Sequence, residues 1–168
     1  TDDSVGLSTF AVGRASRPLA AANARPGDAL VLVTCLEGSL VRGPDDTCFF
    51  SHLRGPRADR AAEDLDLLPQ AADAGIAWAA RDISMPGLGG SLLQFLESAG
   101  GFGCTLDVDA IAVPDGVTLD DWLGAFPSFG FLVVGDEAAM IAHFTGAGLT
   151  AVRIGEFDGT GVLRLASG

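Results

Sequence analysis

A layered α/β or α+β fold is what this sequence predicts, on three observations. Apolar runs of strand length alternate along the chain with segments of helical periodicity, which is how layered domains are written. At 168 residues the chain has the length of one domain and can bury a substantial core. Hydrophobic residues make up 48% of it and the mean hydropathy is +0.37. Such apolarity implies strands buried on both faces, or a surface that expects a partner.

Taken in order, residues 7–12 read as a short strand, within a leader or linker over residues 1–23. The turn Arg25-Pro-Gly-Asp28 then launches a continuous apolar run, 29–36, suited to a buried strand. Residues 37–56 are rich in Gly, Pro and Asp without periodicity and read as an excursion or long loop. Asp59 is placed to cap a helix over 60–68, which Pro69 kinks or restarts and Gly75 ends. Residues 76–81 form the next strand. Leu88, Leu92, Leu93 and Leu96 repeat at helical spacing over 88–99, and Gly100 and Gly101 stop that helix. The alternation over 104–109 is that of a strand with one wet face, and Thr118 is a natural cap for a helix over 119–126. Residues 130–134 read as a buried strand, Asp136 caps a helix over 137–146, and strands over 149–157 and 162–165 are joined through Asp158-Gly159.

Composition excludes several functions. The formal net charge is -12, and the ten basic residues are all Arg with no dense run, so nucleic-acid binding is disfavoured electrostatically. The longest uncharged stretches are broken by Gly, Pro, Ser, Thr or His, so no membrane span is expected. Residues 1–4 precede no secretory apolar core. Three widely spaced cysteines, Cys35, Cys48 and Cys104, fit free thiols in a reducing cytoplasm. Cys48 and His52 have a metal-compatible spacing but no second pair completes a tetrahedral set, so no metal site is assigned. His143 sits in a helical pattern with Met140, Ile141 and Phe144 and reads as a packing residue. Asp107, Asp109, Asp120 and Asp121 read as caps and surface charges. No nucleophile elbow, P-loop lysine or dinucleotide fingerprint occurs, and the catalytic residues stay unknown.

The one stretch with the shape of a site runs from Trp78 to Glu97, where an apolar strand enters an Asp-x-Ser turn, then glycines, then an apolar helix. First-turn amides lack intrahelical partners and the helix dipole adds positive potential, so a phosphate or carboxylate can be held there. On this reading the amides of Gly87, Leu88, Gly89 and Gly90 face the anion, Ser84 meets a phosphate oxygen, and Asp82 orients the loop or a metal-bound water. A second reading stays open, in which Asp82 and Ser84 only satisfy backbone donors ahead of the helix.

Four motifs in order, Pro26-Gly-Asp-Ala-Leu-Val-Leu32, Asp82-Ile-Ser-Met-Pro-Gly-Leu88, Phe126-Pro-Ser-Phe-Gly-Phe-Leu132 and Val152-Arg-Ile-Gly-Glu156, resemble the C-terminal domain of the aminoimidazole ribonucleotide (AIR) synthase, or PurM-like, superfamily. The resemblance spans residues 24–165 and implies a mixed sheet covered by helices, with one such domain over 24–168. It further implies ATP-dependent phosphoryl-transfer or cyclo-ligase chemistry in a cleft between two domains. ATP and Mg2+ would be bound mainly by an N-terminal domain that this chain lacks, and none is expected on this chain alone. The partners implied are that domain, a small-molecule or phosphate ligand and a possible homodimer mate. Asp82, Ser84 and Gly87 match the family's Asp-x-Ser/Thr-x-x-Gly loop. Pro86 stands where relatives often carry Gly, which stiffens the turn and removes one donor. The alternative function is a non-catalytic binding or interaction module on the same fold.

Overall fold

The computed structural model describes residues 10, 12–43 and 46–167. Most of the strand expected over 7–12 lies outside them. The central element is β1 (Ala29–Thr34), flanked by β7 (Gly130–Gly135) on one side and β8 (Thr150–Asp158) on the other. Outside these lie β4 (Ala77–Asp82) beyond β7, then β5 (Gly103–Asp107) and β9 (Leu163–Ala166) beyond β8, in the order β4-β7-β1-β8-β5-β9. All pairs are antiparallel except β5 with β9, so the sheet is mixed. The two C-terminal strands expected from sequence are both present but do not pair; β5 lies between them.

Burial on both faces explains the unbroken apolar run of β1. Leu30 and Leu32 point into one core, shared with α2 (Gly87–Ala99) and α3 (Leu119–Gly124), while Val31 and Val33 point into a second. That second core is closed by α1 (Ala61–Asp73) and α4 (Glu137–Gly146) through Ala71, Met140 and Phe144. Alternation thus sorts neighbouring residues of one strand into two layers.

Side chains cap two of the four α-helices among the described residues. Asp136 accepts from the Ala139 amide and Thr118 from the Asp121 amide, as capping requires. Asp59 does not cap α1. The chain enters through a 3-10 turn, Ala58–Arg60, and Arg60 at the cap position has φ -101 and ψ 3 rather than the extended backbone that presents a capping side chain. Pro69 lies inside α1 without ending it; the carbonyl it leaves without a donor belongs to Leu65, on an exposed stretch of the helix where water can reach.

Residues 37–56 are not a structureless loop. They hold a hairpin of β2 (Ser39–Arg42) and β3 (Cys48–Ser51), which forms a separate sheet with β6 (Phe126–Pro127) in the order β2-β3-β6. Four-residue strands between glycines carry too little alternation to stand out, and their anchor is distant in sequence. Phe50 is buried edge-on against Trp122 with ring centroids 5.2 Å apart. The same pairing corrects the helix expected over 119–126: α3 stops at Gly124 because Phe126 leaves to pair in parallel with Phe49.

Candidate functional site

The turn from Asp82 to Gly87 leaves the end of β4, an edge strand, and is pinned from beneath. Ile83 is buried, and its amide donates to the Gly130 carbonyl at 2.9 Å. The Ser84 amide donates to the buried Ser91 hydroxyl of α2 at 3.0 Å. A void of only about 10 Å³ remains under the turn, among Ile83, Leu88 and Trp122. Its outer surface is open, with Asp82, Met85 and Pro86 exposed.

The amides expected to meet an anion divide into two groups. That of Gly87 donates to the Ser84 carbonyl at 2.9 Å, so the turn itself uses it. Gly90 occupies the fourth helical position, where the carbonyl of the preceding turn is the ordinary acceptor. Leu88 and Gly89 are left as the first-turn donors without a helical partner. A Cβ built on Gly89 meets nothing within 4 Å, so a ligand can approach that backbone. The Ser84 hydroxyl donates to the Asp82 carboxylate. Those two side chains therefore act on each other in this state.

Gly87 has a different role from the one its motif suggested. It adopts φ +70, and a Cβ there would collide with the Leu123 carbonyl, with the Gly124 Cα 3.0 Å away. Its backbone is the contact that seats the start of α2 against the end of α3.

Two depressions flank the turn. On one side a recess of about 220 Å³ is bounded by Arg42, Asp46, Thr47 and Cys48 of the hairpin, Met85 of the turn, and Asp120 and Asp121 of α3. Arg42 spans its wall, Nη2 lying 2.6 Å from Asp121 and Nη1 donating to the Cys48 thiol at 3.4 Å. Arg42 and then the Thr118 hydroxyl hold the Asp121 carboxyl below the usual carboxylate range. On the other side an open groove of about 470 Å³ runs along the β4 edge past Arg81, Asp82 and Phe131. Arg81 is held by the Gln94 amide oxygen, and its Nε is buried without a partner among the described residues.

The fold and the order of these pieces have a counterpart. Residues 25–167 match the family described as AIR synthase related protein, C-terminal domain. The chain belongs to this family. In sequence it is 33% identical over 131 residues to the uncharacterised protein sll0787 of Synechocystis, a match covering 78% of this chain and 39% of that one. Among solved structures, Thermotoga maritima PurL complexed with AMPPCP superposes with a TM-score of 0.65 at 14% identity, covering 91% of this chain and 24% of PurL. E. coli HypE, a hydrogenase maturation protein, gives 0.58 at 21% identity, covering 87% and 48%. These identities speak to fold alone. The AIR synthase-related domain thus spans between about a quarter and about half of the proteins it matches.

Of the site residues expected from sequence, Asp82 ends β4, Ser84 lies in the turn, and Gly87, Leu88, Gly89 and Gly90 open α2. Sequence reasoning missed Arg42 and Cys48, which wall the recess with Met85, because the hairpin was not recognised. Among the described residues no three His, Cys, Asp or Glu side chains gather as a metal site, and none of the helices is long and apolar enough to cross a membrane. The donor set here, two amides and a neighbouring guanidinium, suits an oxyanion rather than Mg2+.

Proposed function

We propose that this chain forms the substrate- or phosphate-facing side of an interdomain cleft in an ATP-dependent enzyme of the AIR synthase type. The nucleotide and its Mg2+ would be held mainly by a domain N-terminal to it in the full protein. The observation that carries this reading is the Asp82–Gly90 segment, rigid beneath and open above, with open space beside Gly89 and depressions at Met85 and at Asp82. PurL, whose structures are described as complexes with AMPPCP, ADP and ATP, has the same fold within about a quarter of its length, which supports placing the nucleotide in the larger assembly.

In the cleft, the Leu88 and Gly89 amides would orient a phosphate or carboxylate oxygen of the ligand. Arg81, beside the turn, would add positive potential in a chain that is otherwise acidic. Bound ATP would supply the phosphoryl group. This chain's part is positioning and charge neutralisation, on which such transfers depend. If Asp82 turns from Ser84 toward the ligand, the Ser84 hydroxyl becomes free to donate.

Isothermal titration tests the division of labour. Mg2+-ATP should bind measurably to a longer protein carrying the upstream domain, and weakly or not at all to this chain. Gly89→Asp, which sets a carboxylate over the two amides in open space, should lower kcat/KM of the longer protein by at least about tenfold, the cost of one unfavourable charge contact. A longer protein that binds no nucleotide removes the enzyme reading and leaves the interaction module.

A further inference from the structure

His52 follows directly after β3 and is 3% exposed. Its backbone amide donates to the Ser128 hydroxyl oxygen at 3.0 Å, and its ring Nδ1 lies 2.6 Å from the same oxygen. Ser128 in turn donates its own amide to the Phe50 carbonyl at 2.8 Å. These bonds clasp the end of β3 to the link between β6 and β7. The other ring nitrogen, Nε2, is buried with no hydrogen-bond partner among the described residues, and the ring stands edge-on to Phe129, centroids 5.9 Å apart. Gly38 packs so close that a Cβ there would lie 3.0 Å from the His52 Cα.

Two charged groups act on the ring. Asp64 of α1 favours a proton and Arg57 opposes it, but they are paired with each other at 2.5 Å in the interior. Glu37 and Cys35, on the chain leaving β1, act on Arg57. Burial, the largest influence, holds the imidazole below its ordinary value of 6.5.

The neutral ring satisfies this geometry. Ser128 Oγ accepts from the His52 amide and bonds Nδ1, as donor or acceptor according to the ring tautomer. An imidazolium would not: it buries a positive charge and leaves a charged Nε2-H dry and unpartnered among the described residues. We propose that His52 and Ser128 form a proton-sensitive latch, and that protonating His52 releases the end of β3 and loosens the β2–β3 hairpin, one wall of the recess beside the Asp82–Gly87 turn. The latch acts on the recess whatever the recess binds.

Hydrogen exchange at amides 39–42 and 48–52, corrected for intrinsic rates, tests it. Opening takes up one proton, so the opening constant should rise by up to about tenfold for each pH unit below about 6.5, until the folded-state pKa is reached. His52→Asn, whose amide oxygen can take the Ser128 proton without titrating, should flatten the response, while His143→Gln should leave it intact. A flat opening constant in the unaltered chain, or a response that survives His52→Asn, overturns the latch. So does an NMR titration in which the folded His52 ring protonates at or above its ordinary value.

Discussion

At the scale of single residues, two glycines two positions apart have opposite jobs. Gly87 combines a left-handed backbone with contact against the Leu123 carbonyl, whereas Gly89 stands in a helical turn beside open space. Gly87→Ala should therefore cost about 2 kcal/mol or more by urea denaturation, from strain and collision together. Gly89→Ala should be neutral or stabilise by up to about 1 kcal/mol, since Ala is the better helix former. Equal effects at the two positions would contradict this division. It also means that a binding test must be made at Gly89, because a Gly87 variant would lose the fold with the site. Cys104 makes a related point: burial pushes its thiol to about 11, so it stays protonated and unreactive at neutral pH.

At the scale of elements, the buried pair Arg57–Asp64 ties three pieces that share no strand. Arg57 follows the hairpin, Asp64 lies in α1, and Arg57 Nη2 also donates to the Ala147 carbonyl at the end of α4 at 3.1 Å. Asp64→Ala should destabilise by about 3–5 kcal/mol, because it strands a guanidinium in the interior. A loss below about 1 kcal/mol in chemical denaturation would show that water reaches the pair. Most elements were legible in the sequence where a single physical signal set them. The runs of β1 and β7, the leucine repeat of α2 and the caps Thr118 and Asp136 are local patterns with local causes. The hairpin was not legible, because β2 and β3 are four residues each and owe their existence to Phe50 meeting Trp122 across seventy residues of chain. The end of α3 failed for the same reason, its last expected residues being taken by pairing with β3.

At the scale of the whole molecule, charge sets a measurable behaviour. With a formal net charge of -12, self-repulsion opposes the compact state. Raising ionic strength from about 10 mM to about 150 mM shortens the screening length from about 30 Å to about 8 Å, and Tm should rise. A Tm that falls over that range would show that surface pairs such as Arg42–Asp121 outweigh the repulsion. By itself the sequence determined the layered class, the family, the position of the Asp82–Gly87 turn and the acidic character that disfavours nucleic acids, since these depend on composition, periodicity and short motifs. Only the tertiary structure decided which amides of that turn are free, that Gly87 is spent on packing, and that a hairpin builds a recess beside it. Each of those depends on contacts between residues far apart in the chain, and no local pattern encodes which distant carbonyl, ring or hydroxyl will arrive.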